Sequence, residues 1–219
     1  MPAGSVAKLL EGGSRFDVAI LPQLEADVDA QCKGESYDLE VCLAVLKLYQ
    51  FHPDQLKPPM VAKILIKALM NLPSTDFLTC TYLVPERVLD AAPVSSVCTV
   101  ANLLESCKFR EFWGALEPLR AELLPSTPGF DKAVRAYILS TFEITYQSVP
   151  KAHLVASLGL KGDSELAPLV SGKGWTLEGD SVKVSLNASN QPRPKQVDAA
   201  EAMSFPAMTK VLQAVNAAS

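Results

Sequence analysis

The sequence predicts a mainly α-helical chain that turns, late in its length, into a short β-hairpin. Three observations carry that expectation. Apolar residues recur at helical spacing over most of the 219 residues, proline interrupts those runs at short intervals, and two-residue alternation stands out in one place, "WTLEGDSVKVSL". Apolar side chains spaced three and four apart share one helix face, whereas alternation puts them on one face of a strand.

Taken in order, Pro22 opens a helix that runs through Leu24 and Val28. The next segment, "YDLEVCLAVLKLYQFHP", is nearly apolar all round: Glu40, Ala44 and Lys47 fill one narrow sector, with Gln50 at its border. Such a helix is enclosed by neighbours on several sides. It stops at His52–Pro53, because a residue before proline is pushed out of the helical region. Pro58 and Pro59 precede "MVAKILIKALMN", which ends at Leu72–Pro73, and "STDF" offers Ser74, Thr75 or Asp76 as a cap for a helix to about Val84. Further helices are expected from about Val94 toward Cys107, from about Lys108 to Leu124, and from "TPG" onward with Phe130, Val134, Ile138 and Phe142 on one face. Consecutive helices with short connections pack antiparallel. Residues 1–148 therefore read as HEAT-like stacked helical hairpins, without a strict sequence period.

After Val149–Pro150 a short helix fits "PKAHLVASLGL" and a second fits "DSELAPLVSG", followed by a hairpin in which Val182, Val184 and Leu186 alternate with polar residues about a Gly179–Asp180 turn. Three helices and a hairpin are the order of a winged-helix domain, expected over residues 149–190 with its first helix shared with about 128–148. Pro168 falls inside the third of these helices, where it removes a backbone donor. Residues 191–219 read as a linker and a C-terminal helix with Met208, Val211, Leu212 and Val215 as its apolar stripe. Folding back onto the chain and joining helices of another chain are equally open to that helix.

Little in the sequence points to chemistry. The two histidines, His52 and His153, have no Cys or second His at ligand spacing, so no metal site is expected. Nucleophile-elbow, zinc-protease and dinucleotide signatures are missing, and "SGKGW" lacks the spaced glycine and the Ser or Thr of a phosphate loop. Glu25 and Asp29, four apart, read as a solvated helix face. No catalytic residue and no cofactor are expected. Five cysteines without a CxxC pair suit a reducing compartment, and the most apolar later stretch, "VAKILIKALM", carries Lys63 and Lys67 and is too short to span a bilayer. A cytoplasmic protein with no membrane attachment is expected. The net charge of −4 and the acids Asp163 and Glu165 at the start of the third winged helix argue against sequence-specific DNA reading. Phe109, Phe112 and Trp113 read as a core stripe, with a partner anchor as the alternative.

Candidate function therefore lies in surfaces. A hairpin leaves a strand edge that another sheet can extend, which nominates Trp175, Val182 and Val184; the C-terminal helix nominates Met208, Leu212 and Val215. Four stretches, "YDLEVCLAVLKLYQFHP", "ILIKALMNLPSTDF", "LLESCKFREFWGAL" and "ITYQSV", resemble corresponding stretches of the k subunits of eukaryotic translation initiation factor three, within the PCI/winged-helix scaffold family. The similarity continues more thinly through Leu154, Leu158, Gly159, Asp163, Ser164, Leu166, Gly174 and Trp175. Val41, Cys42 and His52 depart from it. The resemblance implies a non-catalytic scaffold, with other subunits of the factor as partners, the l subunit as neighbour, and the small ribosomal subunit reached through the complex. A PCI-type subunit of the proteasome lid or COP9 signalosome would share the architecture, and a nucleic-acid-binding winged helix is the further alternative.

Overall fold

The computed structural model describes residues 15–34, 36–122, 124–191 and 204–217. Among the described residues, seven helices form the stack: α1 (Leu21–Lys33), α2 (Leu39–Phe51), α3 (Pro58–Leu69), α4 (Asp76–Thr81), α5 (Glu86–Leu89), α6 (Val94–Glu105) and α7 (Phe109–Glu122). They are followed by α8 (Phe130–Thr145), β1 (Ser148–Pro150), α9 (Lys151–Leu158), α10 (Asp163–Gly172), β2 (Thr176–Glu178), β3 (Ser181–Lys183) and α11 (Phe205–Ala217). The mainly α-helical fold with a small sheet near its end is as the sequence predicts.

The stack is built around α2 and α3. Asp38 caps α2 by accepting from the Glu40 and Val41 amides, and tandem prolines open α3 at positions where no amide donor is needed. Leu46, Leu48 and Tyr49 of α2 and Ile64, Leu65 and Ile66 of α3 are all buried in one continuous core. Each fully buried aliphatic side chain of this size contributes about 1.5–3 kcal/mol. Helix α1 lies against both, and α3 in turn packs on α4 and α6.

A buried carboxylate ties three segments of this core together. Glu25 on α1 is only 8% exposed, and its carboxylate accepts from the Tyr49 hydroxyl at 2.5 Å and from Lys57 Nζ at 2.6 Å. Asp29, one turn on, pairs with Lys63 at 2.6 Å. The expectation of a solvated Glu25–Asp29 face is thus corrected: the two carboxylates clamp α1 to the chain before and within α3, and Glu25 is shielded because α2 covers it.

Other local expectations also shift. "STDF" does not supply a side-chain cap: Thr75 is the N-cap residue and makes no such bond, while the Asp76 carboxylate accepts from Asn71 Nδ2 at 2.7 Å and from the Ser74 hydroxyl. Burial works against ionisation of Asp76. Those bonds and the nearby Tyr37 hydroxyl outweigh it and hold the carboxyl below its ordinary range. The helix ends at Thr81, and the one-turn α5 follows unanticipated. Pro168 does not break α10; it sits inside the helix at an exposed position.

The sheet has three strands in the order β1-β3-β2, all antiparallel. Strand β1 has no counterpart in the sequence reading, since three residues ending in proline give no alternation to detect. It pairs Val149 with Val182, while β2 pairs Leu177 with the same residue. The order α8, β1, α9, α10, β2, β3 is that of a winged helix. Beyond β3 the chain is fastened to the end of α8: Asn190 Nδ2 donates to the carbonyls of Glu143, Tyr146 and Ser185, and Asn187 Nδ2 donates to Glu143 O.

Replacing Tyr49 with Phe leaves Glu25 short of one buried donor. The expected outcome is a loss of about 1–3 kcal/mol in urea denaturation with an unchanged helical spectrum.

Candidate partner-binding surface

The nominated residues divide sharply. Trp175, Val182 and Val184 are buried within the chain. Val182 lies on the central strand with both neighbours in place, and the Val184 amide donates to Gln147 O at 2.9 Å. The expectation that the edge around Val182 and Val184 pairs with a partner's sheet is therefore corrected. Strand β1, invisible in the sequence, occupies that position, and alternation reports which face is buried without reporting which edge is open. On the hairpin side the outer strand is β2, fully exposed along its length, with Leu177 45% exposed.

The C-terminal helix behaves differently. Helix α11 has no buried residue. Phe205, Met208, Val211, Leu212 and Val215 are all exposed, Leu212 to 64%. Their spacing draws one apolar stripe along 13 residues of helix. A continuous apolar stripe of this kind, unlike a scattered surface leucine, makes the helix a candidate interaction surface.

Two lysines of the winged helix are paired with carboxylates, and its third helix starts with acids. Lys173 is paired with Glu143 at 2.7 Å and Lys183 with Glu178 at 2.7 Å, and Asp163 and Glu165 occupy the first turn of α10. The histidines are likewise engaged locally. His153 Nδ1 lies 2.8 Å from an Arg110 guanidinium nitrogen and its ring rests 5.7 Å from that of Phe142, whereas His52 closes α2. Among the described residues no group of three or more His, Cys, Asp or Glu could hold a metal ion, and no helix is long and apolar enough to cross a membrane.

The aromatic trio resolves as core and joint together. Phe109 and Phe112 are buried, and Trp113 is half-buried against α9. Trp113 Nε1 donates to Ser157 O at 2.8 Å, and Arg135 of α8 donates to the carbonyls of Leu158 and Gly159 at 3.1 and 3.4 Å. Those carbonyls are the orphan acceptors at the C-terminus of α9, and the Arg135 charge suits the negative end of the helix. Gly159 takes a left-handed conformation with φ +60°, and a Cβ built there would stand 2.6 Å from the Trp113 ring. Only glycine lets the two surfaces meet at this point.

A helical stack carrying a winged helix, followed by a helix with an exposed apolar stripe, is an architecture suited to a scaffold subunit of a multisubunit assembly. The sequence profile of the CSN8/PSMD8/EIF3K family matches residues 55–196. Across nearly its whole length the chain is similar to eukaryotic translation initiation factor 3 subunit K: 35% identical to that of Danio rerio and to that of Homo sapiens, each over 95% of this chain and 94% of the relative. The subunit K of Nematostella vectensis is 31% identical over 96% of both chains. The chain belongs to the CSN8/PSMD8/EIF3K family, within its initiation factor 3 subunit K branch.

Two measurements check this geometry. In Gly159→Ala, crowding of Trp113 and the left-handed strain together are expected to cost about 2–4 kcal/mol in denaturation, with a changed tryptophan emission. Burial pushes the thiols of Cys32, Cys42 and Cys80 up, that of Cys80 to about 12, whereas Cys107 is exposed. A thiol reagent at neutral pH is expected to modify Cys107 at once and those three only on unfolding.

Proposed function

We propose that this chain is a non-catalytic scaffold subunit of eukaryotic translation initiation factor 3, acting in the cytoplasm and reaching the small ribosomal subunit through the assembled factor. The stack over residues 1–148 and the winged helix over 149–190 form the rigid body. The region 191–219 delivers α11 into a helix bundle shared with other subunits, the l subunit being the neighbour. The single observation that carries this reading is α11: an apolar stripe of Phe205, Met208, Val211 and Leu212 with no buried residue along the helix, in a chain whose relatives are named as subunits of one factor.

An assembly role also explains why the site is made of shape rather than reactivity. Burying Met208 and Leu212 in a partner bundle is worth about 3 kcal/mol or more together, roughly a hundredfold in affinity. The outer strand β2, with Leu177 exposed, gives the winged helix a secondary edge for strand addition. Direct nucleic-acid reading is disfavoured by the ion pairs that tie up Lys173 and Lys183.

The test is co-purification of the factor with a Met208→Asp/Leu212→Asp chain. Loss of the other subunits, with an unchanged melting temperature for the isolated chain, is the expected result; full recovery of the complex would sink the proposal. Val184→Asp is the contrasting control, expected to destabilise the winged helix because Val184 is buried there.

A further inference from the structure

Away from α11, one cleft holds positive charge that no carboxylate pairs with among the described residues. It opens between the C-terminal ends of α1 and α3 and the first turn of α8, with a volume of about 410 Å³. Lys33, Lys67 and Lys132 line it, over a floor that includes Met70, Ala133 and Ala136. None of the three lysines forms an ion pair with a carboxylate among the described residues.

Lys67 is the unusual member. It is only 4% exposed, and the one acceptor its ammonium reaches among the described residues is Gly34 O, at 3.1 Å. A carbonyl satisfies one of three donors and none of the charge, and a buried ammonium without a counter-ion is costly. Among the described residues the nearby acids are engaged elsewhere: Asp131 with Arg120 at 3.0 Å, Asp29 with Lys63, and Asp76 with Asn71 and Ser74. The backbone adds to the same field. Helix α8 is 16 residues long, and its N-cap is Gly129, with φ +86° and no side chain to satisfy the first-turn amides. Those amides and the helix dipole favour an anion at this end.

We propose that this cleft is a receptor for a phosphate monoester carried on a peptide, a phosphoserine or phosphothreonine of a partner protein. Three ammonium groups and an uncapped helix start match a dianion with three acceptor oxygens. The small apolar floor accommodates the side chain's own carbons and a flanking residue. The three cations face one opening instead of following a track, and the chain's net charge is −4. A polynucleotide backbone needs a succession of cations, so the peptide source is favoured. The site is separate from α11, so its failure would leave the assembly reading untouched.

The experiment is amide NMR of the full chain titrated with four probes: inorganic phosphate, a short phosphoserine peptide, its unphosphorylated counterpart, and an oligouridylate. Saturable shifts at the amides of Phe130, Asp131 and Lys132 are expected with the phosphopeptide and, more weakly, with phosphate. Lys67→Met is expected to weaken phosphopeptide binding by about tenfold or more. Lys33→Ala/Lys132→Ala, at two exposed positions, is expected to do the same and decides the matter if Lys67→Met does not fold. Unchanged affinity in the double variant, equal binding of the unphosphorylated peptide, shifts with phosphate but not with phosphopeptide, or tighter binding of the oligouridylate at these amides would each overturn the proposal.

Discussion

The joint at the C-terminus of α9 is the constraint on which the two halves of the molecule depend. Helix α9 is short, and its last carbonyls would be orphaned against an apolar neighbour. Trp113 from α7 and Arg135 from α8 supply the donors instead, and Gly159 leaves room for the indole to close over them. The cations Arg120 and Arg135 both approach the Trp113 ring, at 5.9 and 5.5 Å. Stack and winged helix therefore share donors, acceptors and ring faces. Movement of α9 relative to α7 would expose several unsatisfied polar groups together, which makes the arrangement stiff.

That stiffness gives the scaffold reading its physical sense. Binding energy is not spent on ordering a rigid body. The buried carboxylate of Glu25 plays a related part inside the stack, tying the first helix to the second and third through one acceptor group. Such buried polar contacts add less net energy than the apolar core around them, but they penalise slippage of one helix along another.

Much of this was legible in the sequence, for identifiable reasons. Helix faces are reported by apolar spacing, and the prolines at 53, 58 and 59 mark ends that the structure respects. The hairpin is legible because its turn glycine and alternating valines are local signals. Strand β1 was not, since a three-residue strand ending in proline acquires its identity only from its partner β3. The same omission misplaced the open edge of the sheet and put Val182 and Val184 on the wrong list. Glu25 was misread for a similar reason: its shielding comes from α2, a neighbour that helical spacing within α1 cannot report. The stripe on α11 was legible, because an amphipathic pattern survives without tertiary context, as was the Phe109–Trp113 stripe.

The two asparagines after β3 have a consequence for how α11 searches for its place. Asn187 and Asn190 rivet the chain to the last turn of α8, so the segment beyond departs from a fixed point on a stiff body. Thirteen peptide steps separate Gln191 from Ser204, and covalent geometry sets the distance between them at no more than about 45 Å. Once the rigid body has docked, the helix is confined to a volume of that radius.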